Sequence, residues 1–290
     1  MCLSGRNDSV SGRPECASSN DGAVPLRELC ARTLTRASGA GMSGPHRSWD
    51  ERQWRNMYAA DVARGLVANA APYYTHGEVV TSGAATETVI WETGMPNSLT
   101  VPDSIQLTIA SSSASDTGRI TIRYLDSDLI ERTETVTLDG TSNVTTTATD
   151  IRAINNAYSL DGSVAGNITM SNGGTTYARI SSGNVQFNTS LQRVPAGKRL
   201  MITSIYGGSA SGHSAARVII KLQTSQINGD SFAENGILHP VGAVAVQDSS
   251  VTLANFGPFP IGPGEWIGFT GTTGKAADIT AGLFGWLEPV

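Results

Sequence analysis

RITIRYLDSDLIERTETVTLDGTSNVTTT, from Arg119 to Thr147, decides the fold class. Ile120, Ile122 and Tyr124 alternate with Thr121 and Arg123. Beyond the acidic turn Asp126-Ser127-Asp128, Thr133, Thr135 and Thr137 alternate with Glu134, Val136 and Leu138. A period of two with β-branched residues marks strands that bury one face. Asp139-Gly140 is the strongest short turn signal in the chain, because glycine takes positive φ without steric cost. The stretch predicts a β-hairpin and a tight turn into a third strand, and it holds no catalytic motif.

Similar segments run from Gly77 to the C-terminus. They include Thr88–Glu92, Ser104–Ala110, Ala153–Leu160, Thr176–Ile180, Leu200–Tyr206, Arg217–Thr224, Trp266–Thr270 and Ile279–Leu287. Turn clusters such as Asn172-Gly173-Gly174 and Val194-Pro195-Ala196-Gly197-Lys198 divide them. Short strands at a spacing of about 8–12 residues predict antiparallel sandwiches or jelly rolls, not a parallel α/β sheet. The expected division is a flexible arm over 1–45, an anchoring amphipathic helix within 46–76, a β-sandwich over 77–193, and a second, jelly-roll-like sandwich over 194–290.

The helix is read over Ser48 to Ala71. Ser48 and Glu51 form a capping box, and Trp54, Tyr58, Val62 and Leu66 fall at i, i+4, i+8 and i+12, with Met57 beside them. Pro72 is its expected stop. Two readings of the stripe stand: packing on its own domain, or docking on a larger assembly. The second makes Trp54, Met57, Tyr58, Val62 and Leu66 interface residues. The arm before it is rich in Ser, Gly, Arg and Asn and holds Cys2, Cys16 and Cys30, all three cysteines of the chain. Their spacing lacks the close pairs of a structural zinc site, so free thiols are expected. Met42, after the last cysteine, is an alternative start of translation.

Composition is light in charge, at 16%, and the net charge is -5 with a pI near 5.4. No basic stripe is available for phosphates, so no nucleic-acid partner is expected. No apolar run reaches the roughly 18–20 residues of a membrane helix, and the polar start lacks the apolar core of a secretory signal.

The run Ser111 to Asp126 (SSSASDTGRITIRYLD), then Glu134 to Thr141 (ETVTLDGT), then Val194 to Lys198 (VPAGK) resembles virion structural proteins of tailed bacteriophages of the marine and environmental type. Gly166-Asn167-Ile168-Thr169 matches a middle element of that pattern, and Ile90-Trp91-Glu92-Thr93-Gly94 is similar to a W-x-x-G that precedes the Ser-rich loop. The likeness spans about Thr88 to Lys221. Tyr124 stands where the family usually has Gly, and Asp139 where it usually has Asn. The resemblance implies a non-enzymatic particle component, found in the virion and assembled in the bacterial cytoplasm. It transfers no catalytic residues and does not fix head against tail.

Residues with chemical potential each carry a plainer reading. Asp126, Asp128, Glu131 and Glu134 are acidic, but a calcium loop needs about six oxygens around a sharp glycine turn, and the next glycine is Gly140. No pair of carboxylates sits in a glycosidase motif, which leaves a polysaccharide-degrading tailspike as the enzymatic alternative. His46, His76, His213 and His239 lack ligand spacing, and Gly207 to Ser214 sets Ser beside His without a nucleophile elbow. Trp266, Phe269, Phe284 and Trp286 suit either a core or an exposed sugar-stacking face, which makes Trp266 and Trp286 candidate ligand-facing aromatics. No cofactor and no metal are expected. The expected partners are other virion proteins, a major capsid protein or tail proteins. Symmetry favours a homo-oligomer, a trimer first.

Overall fold

The computed structural model describes residues 58–92, 95, 101–210, 217–225, 239–247 and 251–290. The expected arm, Trp54 and Met57 lie outside the described residues. Among those described, residues 58–63 are α-helical and sixteen strands follow. The helix does not run to Ala71. Gly65 takes φ 70, its amide donates to the Val62 carbonyl at 2.9 Å, and the Leu66 amide donates to the Asp61 carbonyl at 2.8 Å. This pair of bonds is the Schellman stop, which needs a residue in the left-handed region and finds it in glycine. Pro72, read as the stop, lies in the first strand instead.

In chain order the strands are β1 (Ala71–Thr81), β2 (Ala85–Val89), β3 (Thr108–Ser111), β4 (Arg119–Leu125), β5 (Glu131–Thr137), β6 (Val144–Thr145), β7 (Ala153–Ser159) and β8 (Ile168–Asn172). Then come β9 (Thr175–Ile180), β10 (Gln192–Arg193), β11 (Lys198–Ala210), β12 (Arg217–Ser225), β13 (His239–Gln247), β14 (Val251–Ile261), β15 (Trp266–Thr273) and β16 (Ala277–Pro289). The chain is mainly β.

β4 and β5 form the hairpin, paired from Arg119 against Thr137 to Leu125 against Glu131. The turn at Gly140 follows, at φ 58. The third strand is not laid beside β5. β6 pairs with β3, Val144 against Ile109, and β4 takes β7 as its second neighbour. The turn therefore passes the chain from the sheet β5-β4-β7 to the sheet β6-β3-β8-β9. Ile120, Ile122 and Leu125 of the first and Ile109, Ile168 and Met170 of the second are fully buried in one shared core.

A second core lies between the sheet β1-β16-β11-β14 and the sheet β10-β15-β12-β13, with β2 on β15. Leu200, Ile202, Leu222, Phe269, Ile279 and Leu283 fill it. The expected start of a first unit at residue 77 falls in this second assembly. β1 pairs with β16 over Ala71–Thr81, with Ala71 against Leu287, and β2 pairs with β15, with Val89 against Thr270. Local alternation identifies a strand but not a partner some 200 residues away. Residues of β3 to β9 are thus inserted between strands of the other assembly.

Candidate functional site

Along β1, Tyr73, Thr75, Gly77 and Val79 turn inward, while Tyr74, His76 and Val80 turn outward, as the period of two requires. Tyr74 is 70% exposed and stands opposite Phe284 of β16, itself 48% exposed. Phe284 packs on Tyr206 of β11 with ring centroids 5.5 Å apart, and Tyr206 stacks on His76 at 6.1 Å. The Tyr206 hydroxyl lies 2.7 Å from His76 Nδ1 and donates to the Thr75 carbonyl at 3.2 Å. This contact skips a strand, since β16 runs between β11 and β1. Gly282 of β16 lies opposite both His76 and Tyr206, and a Cβ there would overlap the Thr75 carbonyl and the Tyr206 ring. Burial pushes the Tyr206 hydroxyl up to about 12, so it remains a donor at neutral pH.

The same sheet face receives the helix. Tyr58 packs on Trp286 with centroids 5.5 Å apart and donates to Glu288 Oε2 at 2.8 Å. Trp286 Nε1 donates to the same oxygen at 2.7 Å, and Arg199 Nε donates to Oε1 at 2.6 Å. Burial alone would raise the Glu288 carboxyl; the Trp286, Tyr58 and Arg199 donors outweigh it and hold the group below its ordinary value. Because the folded value is depressed, this stabilisation is complete above the unfolded value and is lost as pH falls through the folded one. Glu288→Gln should lose about 2 kcal/mol at pH 7. The gap to wild type should close below about pH 4. Urea melts at pH 7 and pH 3 check this, and equal midpoints at pH 7 would refute it.

At the edge of β1 a cleft of about 100 Å³ opens toward β4, β5 and β7. Tyr73 donates to Gln192 Oε1 at 2.6 Å, and Gln192 Nε2 donates to the Asn155 carbonyl at 2.7 Å. Arg123 NH2 meets Glu131 Oε1 at 2.8 Å. Burial, and after it the Glu131 carboxylate, raises the Tyr73 pKa against the pull of Arg123. Thr75 is 4% exposed, and its hydroxyl has no hydrogen-bond partner among the described residues.

The motif segments of the phage-like pattern meet in space at one end of the β3–β9 assembly. Asp116 of the Ser-rich loop is buried and accepts from Ser111 Oγ at 2.5 Å and from the Ala165 and Gly166 amides, each at 2.8 Å. Its carbonyl accepts from the Gly140 amide at 2.9 Å, and the Ser111 amide donates to the Gly140 carbonyl at 3.1 Å. Asn167 and Ser112 exchange two more bonds, of 3.0 and 2.8 Å. Burial would raise the Asp116 carboxyl, but the Ser111 hydroxyl and the two amides hold it low. These residues work as a loop clasp. The Val194–Lys198 turn has a similar part: the Ala196 amide donates to the Leu129 carbonyl at 2.8 Å and ties the two assemblies.

The structure sorts the residues singled out above. Tyr58, 36% exposed, and Val62, 1% exposed, make contacts within the chain, while Leu66 lies past the helix end and is 69% exposed. Trp266 and Trp286 are buried, at 2% and 5%. Trp266 sits beneath Arg193, whose guanidinium lies 5.4 Å from its ring, and Trp286 lies under Tyr58. Both therefore sit as the core reading has them, covered by Arg193 and by Tyr58. The acidic residues disperse. Asp126 accepts from the Asp128 and Ile130 amides and from Arg132. Glu131 takes Arg123, and Glu134 takes the Thr147 and Ala148 amides. Among the described residues no three His, Cys, Asp or Glu gather as metal ligands, and no helix is long and apolar enough to cross a membrane. His46 and His213 lie outside the described residues. Glu288, Tyr206, Gly282 and Asn156 carry no local signal; the adjacent pair Tyr73-Tyr74 was the one legible hint of an aromatic face.

No family model matches the chain, and no curated protein matches it. Among solved structures it is similar to infectious bursal disease virus-derived T=1 particles, at 14% identity over 76% of this chain and 67% of that one, with a TM-score of 0.19. It is also similar to the VP2 subviral particle of infectious bursal disease virus, at 11% identity over 76% and 74%, with a TM-score of 0.17. Scores this low carry no argument about fold or function.

Proposed function

We propose that this protein is a non-enzymatic structural component of a tailed-bacteriophage virion, associated with the capsid as a decoration or head-fibre protein. In this reading its two paired-sheet assemblies act as β-sandwich modules in a homo-oligomer, first a trimer, that joins neighbouring subunits by surface burial. The observation that supports it is the aromatic face of β1 and β16. Tyr74 and Phe284 lie side by side on a sheet surface, both exposed, and Phe284 packs on Tyr206. Rigid aromatic side chains are favoured anchors of protein interfaces. The phage-like motif segments supply the loop clasp of the β3–β9 assembly and no reactive group. A tail or baseplate component, including one that binds a host receptor or glycan, is the second reading, favoured by the polar cleft beside Tyr74.

Purified particles split into capsids and tails, each probed with an antibody against residues 200–290, test this. Signal on capsids at high copy number is expected. Signal on tails at low copy number would replace the decoration reading by the tail one, and absence from both would overturn the virion reading.

A further inference from the structure

The cleft beside β1 has chemistry that a purely structural role does not use. Arg123 and Glu131 neutralise one another at 2.8 Å, so the lining selects for a ligand without net charge. Arg123 and Asn156 are direct cross-strand partners on β4 and β7. The side-chain amides of Asn156 and Gln186 line the cleft and make no hydrogen bond to another described residue. At the rim stands the exposed ring of Tyr74.

We propose that this cleft binds one neutral pyranose residue of a glycan. Sugar hydroxyls each donate and accept, and so match a set made of amides, a carboxylate oxygen and a guanidinium. The apolar C–H face of the ring covers Tyr74, as an aromatic surface beside convergent polar groups favours. An anionic sugar gains nothing here, because the guanidinium charge is already answered by Glu131. The inference goes beyond the virion reading and does not rest on it.

The full chain is titrated by saturation-transfer NMR with four probes: the methyl glycosides of glucose, galactose and mannose, and N-acetylglucosamine. At least one should bind with a dissociation constant on the order of 1 mM, the range of a small ligand making few contacts. N-acetylneuraminic acid should bind at least about tenfold more weakly than that probe. Tyr74→Ala and Asn156→Ala should each weaken binding about tenfold. Both leave the fold intact, since Tyr74 is exposed and the Asn156 side chain makes no hydrogen bond to another described residue. Leu160→Ala, just beyond the far end of β7, should not change it. No binding by any neutral probe would overturn the proposal, as would equal affinity in Tyr74→Ala and Asn156→Ala. Particle fractionation reads none of this, so the two ideas fail separately.

Discussion

Gly282→Ala should lower the unfolding free energy by about 3 kcal/mol, the upper end of what overpacking a closed site costs. The added methyl meets the Thr75 carbonyl on one side and the Tyr206 ring on the other. The first is backbone of a paired strand and cannot swing aside. The second is fixed by its bond to Thr75, by His76 and by Phe284. Relief therefore requires β1 to part from β16, which breaks a ladder that runs the length of β1. Urea unfolding of the variant checks this, with the midpoint reduced and the slope unchanged. Tyr206→Ala added to Gly282→Ala should recover only part of the loss, because the carbonyl clash remains. A Gly282→Ala protein as stable as wild type would show that Tyr206 does not cross β16.

Asp116→Ala should cost about 3 kcal/mol, by a different route. The carboxylate accepts three hydrogen bonds in a buried loop, and deleting it strands two amides and a hydroxyl that water reaches poorly. The damage should be local first: exchange of the Ala165 and Gly166 amides should speed by about a hundredfold before the β1–β16 ladder responds. Asp116 has a depressed folded pKa, so the clasp is complete above the unfolded carboxylate value and weakens as pH falls through the folded one. Unchanged exchange at both amides would remove Asp116 from the centre of the motif. The motif then would need another physical reason for bringing together Ser111, Gly140 and Gly166.

Much of the strand inventory was legible from residue order. The β4–β5 hairpin falls where Ile120, Ile122 and Val136 alternate, since pleating puts every second side chain on one face and that rule needs only local information. The turn at Gly140 and the Val194–Lys198 turn into β11 were readable from glycine and proline, while β11 itself starts at Lys198, two residues before the expected Leu200. The helix end was also written locally, in Gly65, but Pro72 was the louder signal and misled. Pro72 sits near the start of β1, where its ring fits extended backbone.

Sequence by itself determined that the chain is mainly β, and where most of its strands and turns lie. Tertiary structure alone decided partners and faces: that β1 joins β16, that β6 crosses to β3, and that Trp266 and Trp286 are covered while Tyr74 and Phe284 are not. It also decided the cleft and the Glu288 hub, whose members come from distant parts of the chain. The reason is physical. Alternation is a property of one strand, whereas burial is a property of whatever comes to lie over it, and nothing in a period of two names the covering element.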